Sequence, residues 1–512
     1  MELGFSEKGF WVPTDPPRAR YTLDYSIEYF PEQSLGKTEG SGIIHLKNTT
    51  SKALSRLAFD WSINKYQTLE IKADGEKVPI AGYPDQTSYE SPILIILPAS
   101  FLPEQELELE LEFGQTMPIP KEALPDRFRL TGWYPKLWWG FDTFNDYDVK
   151  IRILPGYTLG TSGRWDSNKD CYTAEGVSSF GIYLGKDHQI IEGKTDDVLI
   201  RCLFPPERNE CAEIILDTAI DVINHHREYF GFYPFMSLTI VPGAKEYSGG
   251  YPVATSLIAI HGQWRLEEQP ELFWRQITAH EIGHQYWGEY VLDKDWNPWL
   301  WIGLGFYADM LYDRAKGYGP DKHIGIIERY VEGVKKKYDT TVSISPDQME
   351  KLDFDFNNVV IHGKSYSIIS ALSCILGDKT FYKIYHQCLR ERAGRRLGVS
   401  EFQNICEQVS GQDLDWFFRQ WVYSNRFLSY EIASQECKKA NDQFITDVQV
   451  NCIGTLKMPV PVAAFFQDGT EQLKFTDRLL DVNHLLFESD ALLTRVKIDP
   501  GGKLPLVIPP PS

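Results

Sequence analysis

The stretch that decides the fold is Thr278-Ala279-His280-Glu281-Ile282-Gly283-His284-Gln285-Tyr286-Trp287-Gly288. Two histidines four residues apart on a helix project from one face, because four residues at 3.6 per turn leave only about 40° between them. Their imidazoles can therefore bind one metal ion. A solvated helix with two stray histidines fits poorly with the bulky Ile277, Ile282, Tyr286 and Trp287 around them.

The acidic residue between the histidines completes a recognisable pattern. Glu281 follows the first predicted ligand, His280, directly, so its carboxylate can reach a water molecule on a metal held by His280 and His284. H-E-x-x-H on a helix is typical of zinc peptidases, in which the glutamate is the general base. We expect His280 and His284 to be zinc ligands and Glu281 to be catalytic.

Length and composition describe a soluble, acidic, multidomain protein. The chain has 512 residues, which suggests roughly three domains, and its 43% hydrophobic and 24% charged residues are typical of globular proteins. A formal net charge of −19 argues against nucleic acid as a partner, because a phosphate backbone would be repelled. The same charge mildly favours cationic peptides.

Targeting signals are not visible in the sequence. Residues 1–8 have neither a basic start nor an apolar core, so we expect no signal peptide, and the most apolar run, 92–102, is too short to span a bilayer. The sequence is equally consistent with the soluble part of a longer, membrane-anchored protein. Eight scattered cysteines form no C-x-x-C pair, which argues against a cysteine zinc site. Reduced thiols in a cytoplasmic protein are the default expectation.

The first 205 residues are predicted to form an antiparallel β domain. Segments 21–29 and 106–113 alternate between apolar and polar residues, which is typical of sheets with one solvated face. The aromatic run from Gly132 to Trp139 is interpreted as core or inter-domain packing rather than a substrate site.

Helical periodicity predominates from 206 to 428, and strands return from 429 to 512. The pattern predicts helices at 211–230, 273–291 and 301–315, with strands at 237–242 and 253–261. Alternation at 443–450 and 460–466 predicts a small β-sandwich. The expected fold class is multidomain α+β, with domains at 1–205, 206–428 and 429–512.

These segments together resemble the aminopeptidase family of gluzincins that includes aminopeptidase N and leukotriene A4 hydrolase. The resemblance is carried by 132–135 (GWYP), 154–157 (LPGY), 229–234 (YFGFYP), 280–288 (HEIGHQYWG) and 498–500 (IDP). It implies an amino-terminal β saddle, a thermolysin-like catalytic domain, a β-sandwich, zinc and peptide substrates. The large helical carboxy-terminal domain of many members is not expected here.

One departure from the family concerns the third zinc ligand. In the family this ligand is a glutamate in Trp-Leu-Asn-Glu-Gly, nineteen residues after the second histidine; that count gives Gly303, and the local pattern gives Leu304. Neither side chain can bind zinc. The substitutes considered are Asp309, His323 and His362, for which a solvated helix position or an ordinary surface or core role is favoured.

Two further positions match the family in part. His362 occupies the place of the tyrosine that stabilises the oxyanion, and an imidazole N–H could serve the same purpose. The loop Gly243-Ala244-Lys245-Glu246-Tyr247 is similar to Gly-Ala-Met-Glu-Asn, whose glutamate binds the substrate's amine. Glu246 is the corresponding residue; otherwise it is a loop carboxylate beside Lys245.

Three functions follow from these observations. The first is a zinc metallopeptidase, most simply an aminopeptidase-like enzyme that removes amino-terminal residues from peptides. The second is a catalytically degenerate relative that binds a peptide or a partner without turnover, because catalysis needs the complete constellation at once. The third is a scaffold in which the groove has no role.

Overall fold

The computed structural model describes residues 17–61, 67–81, 93–119, 125–139, 142–294, 298–342, 344, 346–440 and 443–508. Residues 1–8, used above to judge a signal peptide, and Pro92 lie outside these ranges. The chain divides into two compact units, Met1–Leu292 and Asp293–Ser512. Domain boundaries at 205 and 428 stay predictions.

The first unit consists mainly of strands. In chain order they are β1 (Ala19–Phe30), β2 (Leu35–Lys47), β3 (Leu54–Asp60), β4 (Gln67–Ala73), β5 (Glu76–Lys77), β6 (Ile80–Ala81), β7 (Ile93–Phe101), β8 (Glu106–Pro118), β9 (Arg127–Leu130), β10 (Lys136–Leu137), β11 (Asn145–Arg152), β12 (Tyr157–Thr161), β13 (Arg164–Asp166), β14 (Cys171–Val177), β15 (Ile182–Lys186), β16 (Gln189–Thr195), β17 (Val198–Phe204), β18 (Ser237–Pro242), β19 (Gly250–Ala254) and β20 (Leu257–Ile260). A last strand, β21 (Val291–Asp293), crosses into the second unit's first residue.

A large sheet dominates the amino-terminal part of this unit. Its strand order is β13-β14-β11-β1-β2-β8-β4-β5, with β1 and β11 parallel and the other pairs antiparallel. The alternation seen in β8 corresponds to alternating exposed and buried side chains over Glu106–Phe113. The period-two pattern therefore predicted both the strands and their buried face.

The aromatic run beginning at Gly132 packs inside this unit. Trp133 and Tyr134 are buried, and the rings of Tyr25 and Trp133 lie 4.5 Å apart between centroids. The Trp133 Nε1 donates a hydrogen bond of 2.7 Å to the Phe180 carbonyl, and the hydroxyls of Tyr134 and Tyr147 are 2.8 Å apart. The interpretation as core packing is confirmed.

A five-stranded sheet of order β16-β17-β18-β20-β19 carries the site. Its inner strands β18 and β20 are parallel and buried along their whole length, as their continuous apolar sequence requires. The prediction of one strand at 253–261 is wrong. The antiparallel strands β19 and β20 occupy that region, because Ser256 takes a left-handed backbone conformation (φ 61°) that turns the chain between them.

The described residues of the first unit also form two α-helices, α1 (Ala212–Phe230) and α2 (Glu271–Tyr286), which pack against each other. Gly231 ends α1 in a left-handed conformation (φ 91°), as expected of a glycine cap. The predicted metal helix ends five residues earlier than expected. Trp287 takes an extended conformation and Gly288 a left-handed one (φ 108°), so the chain leaves the helix directly after the second histidine's turn.

The second unit is mostly helical up to residue 421. Its helices are α3 (Trp299–Lys316), α4 (Asp321–Lys335), α5 (Pro346–Met349), a π-helical turn (Asn357–Lys364) that continues into α6 (Ser365–Leu376), α7 (Asp378–Glu391), α8 (Val399–Ser410) and α9 (Asp415–Trp421). Within the described ranges, one helical stretch, Asn357–Leu376, is long and apolar enough to span a membrane. Since 78% of that apolar window is buried in the protein, it has the character of a core helix.

Strands return at the carboxy-terminal end of this unit. They are β22 (Arg395–Leu397), β23 (Tyr430–Ala440), β24 (Gln443–Cys452), β25 (Pro461–Phe466), β26 (Glu471–Phe475), β27 (Val482–Ser489) and β28 (Leu493–Ile498). Two three-stranded antiparallel sheets form, β23-β24-β27 and β26-β25-β28. A β-rich beginning, a helical middle and carboxy-terminal sheets confirm the predicted multidomain α+β class.

Candidate metal and peptide site

The two predicted metal ligands converge on one point. The Nε2 atoms of His280 and His284 lie 3.2 Å apart, and both side chains are buried on α2. The Nδ1 of His284 lies 3.4 Å from the carbonyl of Trp287, to which an Nδ1–H can donate, and in that tautomer Nε2 carries the lone pair that a metal ion would bind. That carbonyl is available because α2 stops at Tyr286.

This geometry suits two ligands of a tetrahedral zinc ion. Two Zn–N bonds of about 2.05 Å at a tetrahedral angle separate the nitrogens by about 3.3 Å. Within the described ranges, however, no three side chains of His, Cys, Asp or Glu form a group that could hold a metal. The described residues therefore fit zinc through two protein ligands, where a catalytic zinc site ordinarily has three.

The expected solvated position of Asp309 is wrong. Asp309 is fully buried on α3, and one of its carboxylate oxygens lies 2.7 Å from Lys322 Nζ. His323 is also buried, with its Nε2 3.1 Å from Asp313 Oδ2. These side chains bind one another across α3 and α4, so the structure gives a local electrostatic role to Asp309 and to His323.

Packing explains the residues at both positions that correspond to the family's glutamate. A Cβ on Gly303 would lie 2.8 Å from Ile369 and 2.9 Å from the Ser365 carbonyl, because α3 and α6 cross closely there. Leu304 is fully buried, and its carbonyl accepts a hydrogen bond of 3.2 Å from the Tyr385 hydroxyl. Both residues thus serve the packing of the second unit.

His362 lies in the π-helical turn of the second unit. Its Nδ1 is 2.8 Å from the Asn357 carbonyl, and its ring is 5.9 Å from that of Phe306 on α3. A π-helical turn is often found at functional sites. The catalytic role of His362 stays a prediction.

The neighbouring Lys364 has a structural role. It is fully buried, and its Nζ donates to Asp339 (3.0 Å), to the Thr340 carbonyl (2.7 Å) and to the Ser424 carbonyl (3.0 Å). Burial lowers the pKa of Lys364 and raises that of Asp339. Lys364 therefore stabilises the packing of the second unit.

The loop between β18 and β19, residues 243–249, is here called the anchor loop. It is held against the end of β20, because the Ala244 amide donates to His261 Nδ1 (2.8 Å) and the His261 amide to the Gly249 carbonyl (2.8 Å). Glu246 is exposed on this loop, whereas Lys245 turns away to pair with Glu207 at 3.3 Å. Glu246 as the amine anchor stays a prediction.

The residue that follows the anchor loop contacts the predicted base. Gly250, the first residue of β19, lies against the Glu281 carboxylate, so that a Cβ there would be 2.6 Å from Oε1. The first unit thus brings together His280, Glu281 and His284 with the strand that follows Glu246. Gly250 has no signal in the sequence that predicts this role, because only the packing of β19 on α2 shows its proximity to Glu281.

Comparison with known proteins agrees with this architecture. Residues 216–421, which include both histidines, Glu281 and Glu246, match the model of the Peptidase family M1 domain. The match covers less than half of the chain, and it shows what this region is similar to. The resemblance to the aminopeptidase N family is confirmed, and metallopeptidases of family M1 are zinc-dependent.

Several relatives are similar to parts of the chain. Probable aminopeptidase 2 of Sulfurisphaera tokodaii is 26% identical over 48% of this chain and 33% of its own length. The Tricorn protease-interacting factor F2 of Thermoplasma volcanium is 24% identical over 65% of this chain and 43% of its own length. The chain thus matches less than half the length of these M1 relatives.

A solved structure supports the fold. A variant of the M1 zinc metallopeptidase from Deinococcus radiodurans superimposes with a TM-score of 0.60, covering 80% of this chain and 94% of that one. Sequence identity is 15%, so the likeness shows the M1 fold alone.

Proposed function

We propose that the chain is a zinc-dependent peptidase of the M1 type that removes amino-terminal residues from peptides. The observation that carries this proposal is the pair of Nε2 atoms 3.2 Å apart on a buried helix, with Glu281 between the two histidines in sequence. The names of the relatives, probable aminopeptidase and aminopeptidase N, support the same activity.

Each residue has a defined task in this proposal. His280 and His284 would hold the zinc ion, which would polarise a peptide carbonyl and acidify a water molecule. Glu281, which packs against Gly250, accepts the proton from the attacking water and passes it to the leaving amine. Glu246 binds the free amine of the peptide and thereby restricts cleavage to its first bond.

The number of zinc ligands separates this function from the alternative, peptide or partner binding without turnover. The absence of a three-residue metal group among the described side chains favours weak zinc binding. The named relatives give the alternative no support. Zinc binding is therefore the property to measure first.

The experiment combines metal analysis with turnover. Purified protein is dialysed, titrated with zinc, and analysed for zinc per chain and for cleavage of alanyl and leucyl amino-terminal reporters. We expect one zinc per chain, and a fall in kcat of about 10²–10⁴-fold in Glu281→Gln with zinc content unchanged. Glu32→Gln removes an exposed carboxylate from the same unit and is the matched control. Absence of zinc after titration, or full activity in Glu281→Gln, would reject the proposal.

A further inference from the structure

Three arginines of the first unit meet beside the anchor loop. Arg127 and Arg129 are two residues apart on β9 and so share one face of the strand, and Arg208 ends the turn before α1. In the part of the chain that the structure describes, none of the three forms an ion pair. Arg127 and Arg208 instead donate to the Gly243 carbonyl, at 2.5 Å and 3.3 Å.

Arg208 has the least favourable environment of the three arginines. Its side chain is fully buried, and among the described residues its Nε and Nη2 have no hydrogen-bond partner. Burial, together with the charge of Arg127, lowers the pKa of Arg208 to about 10. Burying a cation without a paired counter-charge is costly, and hydrogen-bond donors without an acceptor add to that cost. An anion at this point would remove both costs.

The local charge is positive although the whole chain carries −19. Among the described residues, the charged groups that interact at the anchor loop include four cations, Arg127, Arg129, Arg208 and Lys245, and two carboxylates, Glu207 and Glu246. The nearby imidazole of His261 adds no charge at neutral pH, because burial and the three arginines lower its pKa. Cations therefore outnumber carboxylates here.

This basic cluster borders the proposed peptide site. The Arg129 guanidinium lies 5.6 Å from the centre of the Tyr251 ring, and Tyr251 follows Gly250, which touches Glu281. Glu246 is three residues from Gly243, so their Cα atoms are at most about 11 Å apart. A ligand with an amine and a carboxylate one residue apart can reach Glu246 and the arginines together.

We propose that Arg127, Arg129 and Arg208 form a carboxylate-binding subsite that selects peptides carrying a carboxylate within one residue of the free amine. This inference rests on the proposed function, since it takes Glu246 as the amine anchor. The carboxylate is either the acidic side chain of the first residue or the terminal carboxylate of a dipeptide. Arginine suits both sources, because its planar fork pairs with a carboxylate through two hydrogen bonds.

Binding without turnover tests the subsite. The full chain with Glu281→Gln is titrated calorimetrically with three probes: Glu-Ala-amide, Ala-Ala with a free carboxylate, and Ala-Ala-amide. We expect Glu-Ala-amide or Ala-Ala to bind at least about tenfold more tightly than Ala-Ala-amide, the effect of one charge-assisted pair. The probe that gains affinity identifies the source of the carboxylate.

Substitutions distinguish carboxylate binding at a specific site from general electrostatic attraction. Arg129→Gln, at an exposed position, should abolish most of the preference for the carboxylate probes, and Arg129→Lys should restore part of it. Arg56→Gln, an exposed arginine on β3 of the same unit, changes net charge equally and should leave the preference intact. Arg208→Gln is not needed, since loss of a buried side chain can disturb folding.

The outcomes are distinct for the two proposals. Equal affinity for all three probes, no binding of any probe, or equal loss in Arg129→Gln and Arg56→Gln would overturn the subsite. Zinc binding and reporter cleavage without a carboxylate preference would reject the subsite and keep the peptidase. A carboxylate preference in a protein that binds no zinc would keep the subsite and reject the peptidase.

Discussion

The backbone of Gly250 packs directly on the carboxylate of Glu281, so closely that a methyl group on Gly250 would lie 2.6 Å from Oε1. Real side chains do not approach so closely, and one of the two groups must move. Because Glu281 projects from a buried helix and Gly250 belongs to a hydrogen-bonded strand, the carboxylate is the part that yields. The position of the proposed base therefore requires the absence of a side chain at residue 250.

Substitution of Gly250 by alanine should impair turnover more than binding. Displacing a catalytic group by about 1 Å can cost up to about 100-fold in rate, so we expect kcat to fall about 10–100-fold and KM to change little. Gly132→Ala is the matched control, because a Cβ there meets no atom within 4 Å. Steady-state kinetics on an alanyl reporter make the comparison, and unchanged kcat in Gly250→Ala would contradict this account of Glu281.

Two helical glycines of the second unit should respond oppositely to alanine. At Gly303 the new Cβ would meet the Ser365 carbonyl at 2.9 Å and Ile369 at 2.8 Å, so overpacking should lower the free energy of unfolding by about 1–3 kcal/mol. At Gly325 on α4 a Cβ would have open space. Alanine there should raise the free energy of unfolding by about 0.5–1 kcal/mol, because alanine has a higher helix propensity than glycine. Urea denaturation followed by circular dichroism measures both, and a stable Gly303→Ala protein would refute the close crossing of α3 and α6.

Stability of the first unit should fall in mildly acidic solution because of His261. Burial, with Arg129, Arg127 and Arg208 nearby, lowers its pKa in the folded chain below the ordinary 6.5. The unfolded chain then binds more protons just below pH 6.5, so the free energy of unfolding decreases as pH falls through that window, by at most about 1.4 kcal/mol per pH unit. His188, whose pKa burial also lowers, contributes with the same sign.

The measurement compares denaturation midpoints at pH 7.5 and pH 5.5. His261→Gln should flatten the pH dependence, because the titrating imidazole is gone while an acceptor for the Ala244 amide is retained. His45→Gln, an exposed histidine on β2, is the control and should retain the full slope. An identical slope in His261→Gln and the unaltered protein would show that His261 does not carry the effect.

Local sequence patterns were sufficient to predict most of the fold and half of the candidate site. Period-two alternation predicted β8 and the carboxy-terminal strands, and the i, i+4 spacing predicted that His280 and His284 meet on one face of α2. Such features depend only on residues near in sequence and on helix or strand geometry. The end of α2 and the turn at Ser256 were missed because single left-handed residues, which have no periodic signal, decide them.

The remaining features arise from contacts between residues far apart in sequence, and only the tertiary structure decided them. Arg127 and Arg208 are 81 positions apart, yet both donate to the Gly243 carbonyl; Gly250 and Glu281 touch across 31 positions. Asp309 appeared solvated from its helical position, but the packing of α3 on α4 buries it beside Lys322. Composition and spacing specify which side chains are present and which helix face they share; the packing of sheets and helices sets their neighbours, burial and charge.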